Sequence, residues 1–219
     1  SLLPEVSQVF SATIVQSFDQ LGPFSGNASI TAYNKKQHQL TESVRYPFVF
    51  TPIDSNSFIP AQNLEGKAWG VAISLSCFDP SIGFSLSCSY AHQRSLVRLS
   101  SKVEDIPTSG DRPNALKVIC RKETNGFIVS VAYQWYDGAP TTDRYFLQGT
   151  NLFGDTFFVP IWKTLNSSRL PSYQRLDISM SKRFEFGSWC VTPFLDIINL
   201  LDAKNISQYE YALDVSYHE

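Results

Sequence analysis

Phe127-Ile128-Val129-Ser130-Val131-Ala132-Tyr133-Gln134-Trp135-Tyr136 alternates at period two. Phe127, Val129, Val131, Tyr133 and Trp135 make one apolar face, and Ile128, Ser130, Ala132, Gln134 and Tyr136 make the other. Alternation of this kind marks a strand apolar on one side. The pattern recurs outward from it. In the run 69–77, Trp69, Val71, Ile73, Leu75 and Cys77 alternate with Gly70, Ala72, Ser74 and Ser76. Phe84, Leu86, Cys88 and Tyr90 alternate with Ser85, Ser87, Ser89 and Ala91; Leu176, Ile178 and Met180 alternate with Arg175, Asp177, Ser179 and Ser181. Trp189, Val191, Leu195 and Ile197 read as one further strand, in which Pro193 removes a ladder donor and demands a bulge or bend. Weaker strands at 6–18, 26–37 and 114–121 bring the number to at least eight.

The connections between these strands are of two kinds. Tight ones fall at 19–25, 79–82, 122–125 and 185–188, and long ones at 40–66, 98–113 and 137–172. In an antiparallel meander every second connection lies at the same end, so the short turns share one rim and the long loops the other. That asymmetry belongs to transmembrane β-barrels. A soluble sandwich would instead bury the apolar faces against each other. Two details favour the barrel. The polar faces are rich in Ser, Ala, Thr and Gly, and Trp69, Tyr90, Trp135 and Trp189 stand at strand ends, where interfacial girdles sit.

Composition narrows the function classes. A formal charge of −2 over 219 residues gives no electrostatic footprint for nucleic acid. No apolar run approaches the length of about 18 residues that a spanning helix needs, which leaves barrels untouched. The opening Ser1-Leu2-Leu3-Pro4-Glu5 has neither a basic n-region nor an apolar core, so the chain reads as a mature form or an excised piece. Cys77, Cys88, Cys120 and Cys190 contain no CxxC pair and match neither a zinc site nor a disulfide scaffold. The first three fall on apolar faces, where free cysteine behaves as a small hydrophobe. His38, His92 and His218 have no ligand spacing, no G-x-S-x-G elbow occurs, and the expectation is no enzyme, no metal and no cofactor. Three Asn-x-Ser matches, at Asn27, Asn166 and Asn205, are chance in so serine-rich a chain.

The stretch Ser168-Arg169-Leu170-Pro171-Ser172-Tyr173-Gln174-Arg175-Leu176-Asp177-Ile178-Ser179 continues through Lys182-Arg183-Phe184, Trp189 and Phe194-Leu195-Asp196-Ile197-Ile198-Asn199-Leu200 to Lys204-Asn205 and Tyr209-Glu210-Tyr211. It resembles the C-terminal barrel region of TonB-dependent outer-membrane receptors, with their "R-x-P-x-Y-x-R-L-D" and "Y-L-D-x-x-N-L" strands. Asn63-Leu64-Glu65-Gly66-Lys67-Ala68-Trp69-Gly70-Val71, Asp111-Arg112-Pro113-Asn114-Ala115-Leu116-Lys117 and Tyr133-Gln134-Trp135-Tyr136-Asp137-Gly138-Ala139-Pro140 are similar to earlier segments of the same family, although Ala72 stands where the family usually has Glu. The resemblance covers roughly residues 60–211. It implies a 22-stranded barrel occluded by a plug, with solute bound outside and TonB pulling on a box ahead of the plug. Neither plug nor box lies in this sequence. The family's terminal aromatic is also missing from the ending Val215-Ser216-Tyr217-His218-Glu219.

The expected fold is therefore an all-β, antiparallel transmembrane barrel. Residues 1–219 supply a meander of about eight or nine strands from its C-terminal portion. The expected function is TonB-dependent import of a scarce solute (ferric siderophore, vitamin or glycan) across the bacterial outer membrane. Its partners would be outer-membrane lipid, the remainder of the barrel and plug, TonB and the solute. Tyr145, Phe146, Phe153, Phe157, Phe158 and Trp162, all in the longest loop, are the candidate solute contacts, because binding concentrates on loops of a rigid scaffold; folding of that loop into the barrel mouth is the equal alternative. Arg175 and Asp177 read as a lumenal charge network, and Asp196 and Asn199 as structural hydrogen-bonding groups. Two rivals stand: a self-contained eight-stranded barrel acting as adhesin or structural protein, and a secreted glycan-binding β-sandwich with paired cysteines.

Overall fold

The computed structural model describes residues 5–44, 59–98, 105–150 and 153–209. Its strands are β1 (Val6–Leu21), β2 (Phe24–Val44), β3 (Ile59–Asp79), β4 (Phe84–Arg98), β5 (Asp105–Pro107), β6 (Asn114–Thr124), β7 (Phe127–Tyr136), β8 (Pro140–Thr141), β9 (Arg144–Thr150), β10 (Thr156–Trp162), β11 (Ser168–Arg169), β12 (Tyr173–Lys182), β13 (Phe184–Phe186), β14 (Trp189–Val191) and β15 (Phe194–Ile197). Nine of them form one antiparallel sheet in the order β1-β2-β3-β4-β6-β7-β12-β15, with β5 paired to β4. The fold is all-β and its main sheet is a meander, as expected. Among the described residues the outer strands β1 and β15 do not pair, so no closed barrel is formed.

The alternation of short and long connections holds. The β6–β7 turn is Asn125-Gly126 with φ of 48° and 71°. Positive φ at both central residues is the two-residue turn whose twist matches that of the strands it joins. Between β3 and β4, Asp79 Oδ1 accepts hydrogen bonds from the Ser81 backbone N (2.9 Å) and Oγ (2.6 Å). That turn closes on Gly83, at φ 63°, where a Cβ would lie 2.3 Å from the Glu123 carbonyl oxygen.

The long connections contain more structure than the sequence pattern indicated. β2 extends to Val44 and β3 begins at Ile59, so both strands outrun their expected limits. β5 lies within the 98–113 segment and continues the line of β6 along β4. Segment 137–172 is built from two stacked ladders, β8 with β11 and β9 with β10. The strand read as continuous from Trp189 to Ile197 is broken at Thr192-Pro193. β14 pairs with β13, and only β15 joins the main sheet.

Register assigns every main-sheet residue to one of two faces. One apolar row runs Ala28, Leu75, Cys88, Val118, Tyr133, Leu176 across six strands, and its neighbour runs Gly26, Cys77, Leu86, Cys120, Val131, Ile178, Ile197. Cys77, Cys88 and Cys120 thus sit on the apolar face, and all four cysteines are free. No second apolar layer covers this face among the described residues: Ile14 is 71 %, Ile73 51 % and Leu195 54 % exposed, and Val118, Val131, Tyr133 and Leu176 in the middle strands are half-buried beside their neighbours. Among the described residues the buried hydrophobic ones are Leu64, Val97, Ile106 and Leu170. The first three form one cluster at the long-loop end, capped by Leu165.

At that end, Lys67 Nζ and Arg98 Nε reach the two oxygens of Asp105 at 3.0 and 2.9 Å and fasten β5 to β3 and β4. The hydrogen bonds from Lys67 and then Arg98 hold the Asp105 carboxyl below its usual range. A depressed folded-state value contributes stability that is present above the ordinary aspartate value of about 3.9 and lost as pH falls through the folded one. Asp105→Asn is therefore expected to raise the protease sensitivity of β5 at neutral pH, with the gap to the parent closing as pH falls below about 4. A gap that widens in acid would contradict this assignment.

Candidate functional site

The polar face of the sheet carries a row running Ser29, Ser74, Ser89, Lys117, Gln134, Arg175, one residue from each of six successive strands. The next row toward the long-loop rim runs Thr13, Thr31, Ala72, Ala91, Ala115, Tyr136, Tyr173. Three successive alanines leave space where larger side chains would fill it. A cavity of about 470 Å³ opens there, bordered by Ser74, Ser89, Lys117, Gln134 and Tyr136 among others. Its volume lies within the roughly 300–1,000 Å³ of small-molecule sites.

Hydroxyls on one flank satisfy each other. Ser29 and Ser74 are joined at 2.7 Å, and Thr13 and Thr31 at 3.0 Å. On the other flank Tyr136 and Tyr173 stack with ring centroids 4.4 Å apart. The Arg112 guanidinium lies 4.6 Å from the Tyr136 centroid, within cation–π range. Arg175 and Asp177 form a two-pronged ion pair, Nε–Oδ1 2.8 Å and Nη2–Oδ2 2.7 Å. The two residues read as a charge network do pair, and Asp177 Oδ1 also accepts from the Asn199 backbone N at 2.9 Å. Lys117 is exposed, and among the described residues no carboxylate pairs with it.

Above the cavity the long connections are clasped by one carboxylate. Asp111 is fully buried. Its Oδ1 accepts from the Ser95 backbone N at 2.6 Å and lies 3.5 Å from Arg94 Nε; its Oδ2 is bridged by Arg169 Nη2. Arg169 Nη1 donates in addition to the carbonyl oxygens of Asp111 (2.6 Å) and Gly138 (3.1 Å). Close approach is built in at Gly138, where a Cβ would fall 1.7 Å from the Leu170 carbonyl oxygen. Asn114 extends the clasp: its backbone N and Nδ2 donate to Asp137 Oδ2 at 3.0 and 2.7 Å, and its Oδ1 accepts from Tyr90 OH at 2.7 Å. Asn166 Nδ2 donates to the Pro107 carbonyl at 2.7 Å. The base of segment 137–172 is thereby drawn inward over the small apolar cluster.

The six aromatic candidates lie in or beside the β9–β10 hairpin beyond that base. Register sets Tyr145 opposite Ile161, Phe146 opposite Pro160, Phe157 opposite Gly149, Phe158 opposite Gln148 and Trp162 opposite Arg144. Tyr145, Phe153 and Phe158 are exposed and Phe146 is half-buried; the side chains of Phe157 and Trp162 lie outside the described residues. The hairpin brings these positions into one element but does not gather them at the cavity. Asp196 stands opposite Ser179 on the polar face. Asn199, at φ 57°, exchanges hydrogen bonds with Ala203 through its side-chain amide and closes a turn. No group of His, Cys, Asp and Glu able to hold a metal occurs among the described residues. Sequence reasoning missed Lys117, Gln134 and Asp111, although all three lie in quoted segments. No family model, curated protein or solved structure matches this chain.

Asp111→Ala leaves two guanidiniums facing a vacated carboxylate site. Breaking a buried ion pair costs about 3–5 kcal/mol; with both arginines about a third exposed, screening places the expected loss at roughly 2 kcal/mol. Limited proteolysis of the folded protein is expected to cut segment 137–172 faster in this variant, with Asp111→Asn intermediate. Cleavage at the parental rate in both would show that the clasp does not hold the segment.

Proposed function

We propose that this chain is the C-terminal part of an outer-membrane β-barrel of the TonB-dependent transporter type. It would form the barrel wall and extracellular loops for import of a scarce solute. The observation that carries the reading is the uncovered apolar face. Water is a poor neighbour for it, since each fully buried Val, Leu, Ile or Phe is worth about 1.5–3 kcal/mol. The main sheet has no second apolar layer against it among the described residues. A bilayer covers such a face, and a polar opposite side is what a barrel interior requires. Phe127 and Trp135 stand eight residues apart on the apolar face of β7. That is about 27 Å along the strand at 3.3–3.4 Å per residue, the order of the ~25 Å apolar band of such barrels.

Two further features support the transporter over the small barrel. Two segments quoted for the resemblance, Asp111–Asn114 and Ser168–Tyr173, meet in space through the Asp111–Arg169 pair. Among the described residues the sheet also ends in unlike edges, with 16 residues in β1 and four in β15. Edges so unequal do not close well on each other, and an open edge is not tolerated in lipid, so the partner strands would come from the remainder of the barrel. The plug, TonB and the outer-membrane lipid complete the expected partners. A secreted sandwich would need a second apolar layer against this face.

A nitroxide scan along β7 tests this in the membrane-inserted protein after its native cysteines are replaced by alanine. Positions 129, 131 and 133 are expected to collide preferentially with dissolved oxygen, and 130, 132 and 134 with a water-soluble nickel chelate. Odd positions shielded from both reagents would indicate a covering protein layer and favour the sandwich.

A further inference from the structure

We infer that the cavity on the polar face is a subsite for a carboxylate-bearing, polyhydroxylated solute of the sugar-acid class, with Lys117 as the carboxylate partner. The inference rests on the solute-transport reading and names the substrate class for it. Four observations carry it. The volume, about 470 Å³, suits a monosaccharide-sized molecule with room to spare. The alanine row Ala72, Ala91, Ala115 makes a floor without projecting side chains. The Tyr136 ring beside that floor, held by its stack on Tyr173, offers a flat apolar wall for the C–H face of a sugar. Ser89 and Gln134 flank Lys117 directly in register; their hydroxyl and amide groups match alcohol donors and acceptors.

Charge selects the anion. Of the cations around the cavity, Arg175 is neutralised by Asp177, and Arg112 is spread over the Tyr136 ring. Farther along β6, Arg121 is paired with Glu123. Asp196, a carboxylate with no such partner among the described residues, stands three strands from Lys117 and two rows nearer the short-turn rim. Lys117 and Arg112 therefore leave the cavity positive. That complements a carboxylate on the solute. A lysine ammonium meets a carboxylate as a point charge with three donors.

The test compares galacturonate with galactose on the full protein in detergent, by saturation-transfer NMR titration at low salt. Galacturonate is expected to bind about tenfold more tightly, the gain of one charge-assisted hydrogen bond. Lys117→Gln is expected to abolish the difference and Lys117→Arg to keep most of it. Equal binding of the two sugars to the parent, or a difference that survives Lys117→Gln, would overturn the inference. A heat-induced shift in gel mobility, recorded on the same samples, reports the barrel separately. Its presence with equal sugar binding would sink the subsite alone, and its absence would sink the transport reading on which the subsite rests.

Discussion

Strand pairing at period two binds the whole architecture to one constraint. Once Ile30 stands opposite Ile73 and Ile73 opposite Tyr90, the face of every other residue in these strands follows, because a one-residue slip would turn each side chain over. The result is a sheet with an apolar side of Val, Ile, Leu, Cys and aromatic residues and an opposite side of Ser, Thr, Ala and Gly. The hydrophobic effect then demands a non-aqueous neighbour for the first side. The cavity, the loop clasp and the small apolar cluster all lie on the second side or at its rim, and each depends on that division.

The rim is where the fold gains a packed interior. Val97 and Ile106 lie directly opposite, Leu64 joins them, and Leu165 arrives from the turn after β10. Polar contacts arrange this packing. Asp111 gathers Ser95, Arg94 and Arg169, so elements far apart in sequence converge on one buried carboxylate. The convergence ties the β8–β11 ladder to the long-loop end of the sheet, while the β9–β10 hairpin extends beyond it with Tyr145, Phe153 and Phe158 exposed. The alanine row and Lys117 border the cavity, while the exposed aromatic residues lie apart from it on the hairpin.

Much of this was legible in the residues because its causes are local. Asn125-Gly126 names its own turn through positive φ, and alternation in 127–136 names both the strand and its two faces. The pairing of Arg175 with Asp177 follows from their spacing on one strand. The β9–β10 hairpin was read as loop because its strands are only seven residues long, and Phe146, Gln148 and Gly149 offer no clean alternation. Pro193 signalled a disturbance, but whether it bends a strand or breaks it is decided by which neighbour β12 accepts. The Asp111–Arg169 pair spans 58 residues. Nothing in either segment alone states that the two will meet, and the cavity at Lys117 exists only once five strands are laid side by side.

Cold against boiled electrophoresis of the membrane fraction, blotted with an antibody to residues 137–172, tests the central claim most directly. The account predicts an outer-membrane band that migrates faster unheated than boiled and corresponds to a protein much larger than 219 residues. A band at the size of this chain that still shifts on heating would contradict the transporter in favour of a small closed barrel. Signal confined to the soluble fraction, unmoved by heating, would contradict the membrane barrel itself.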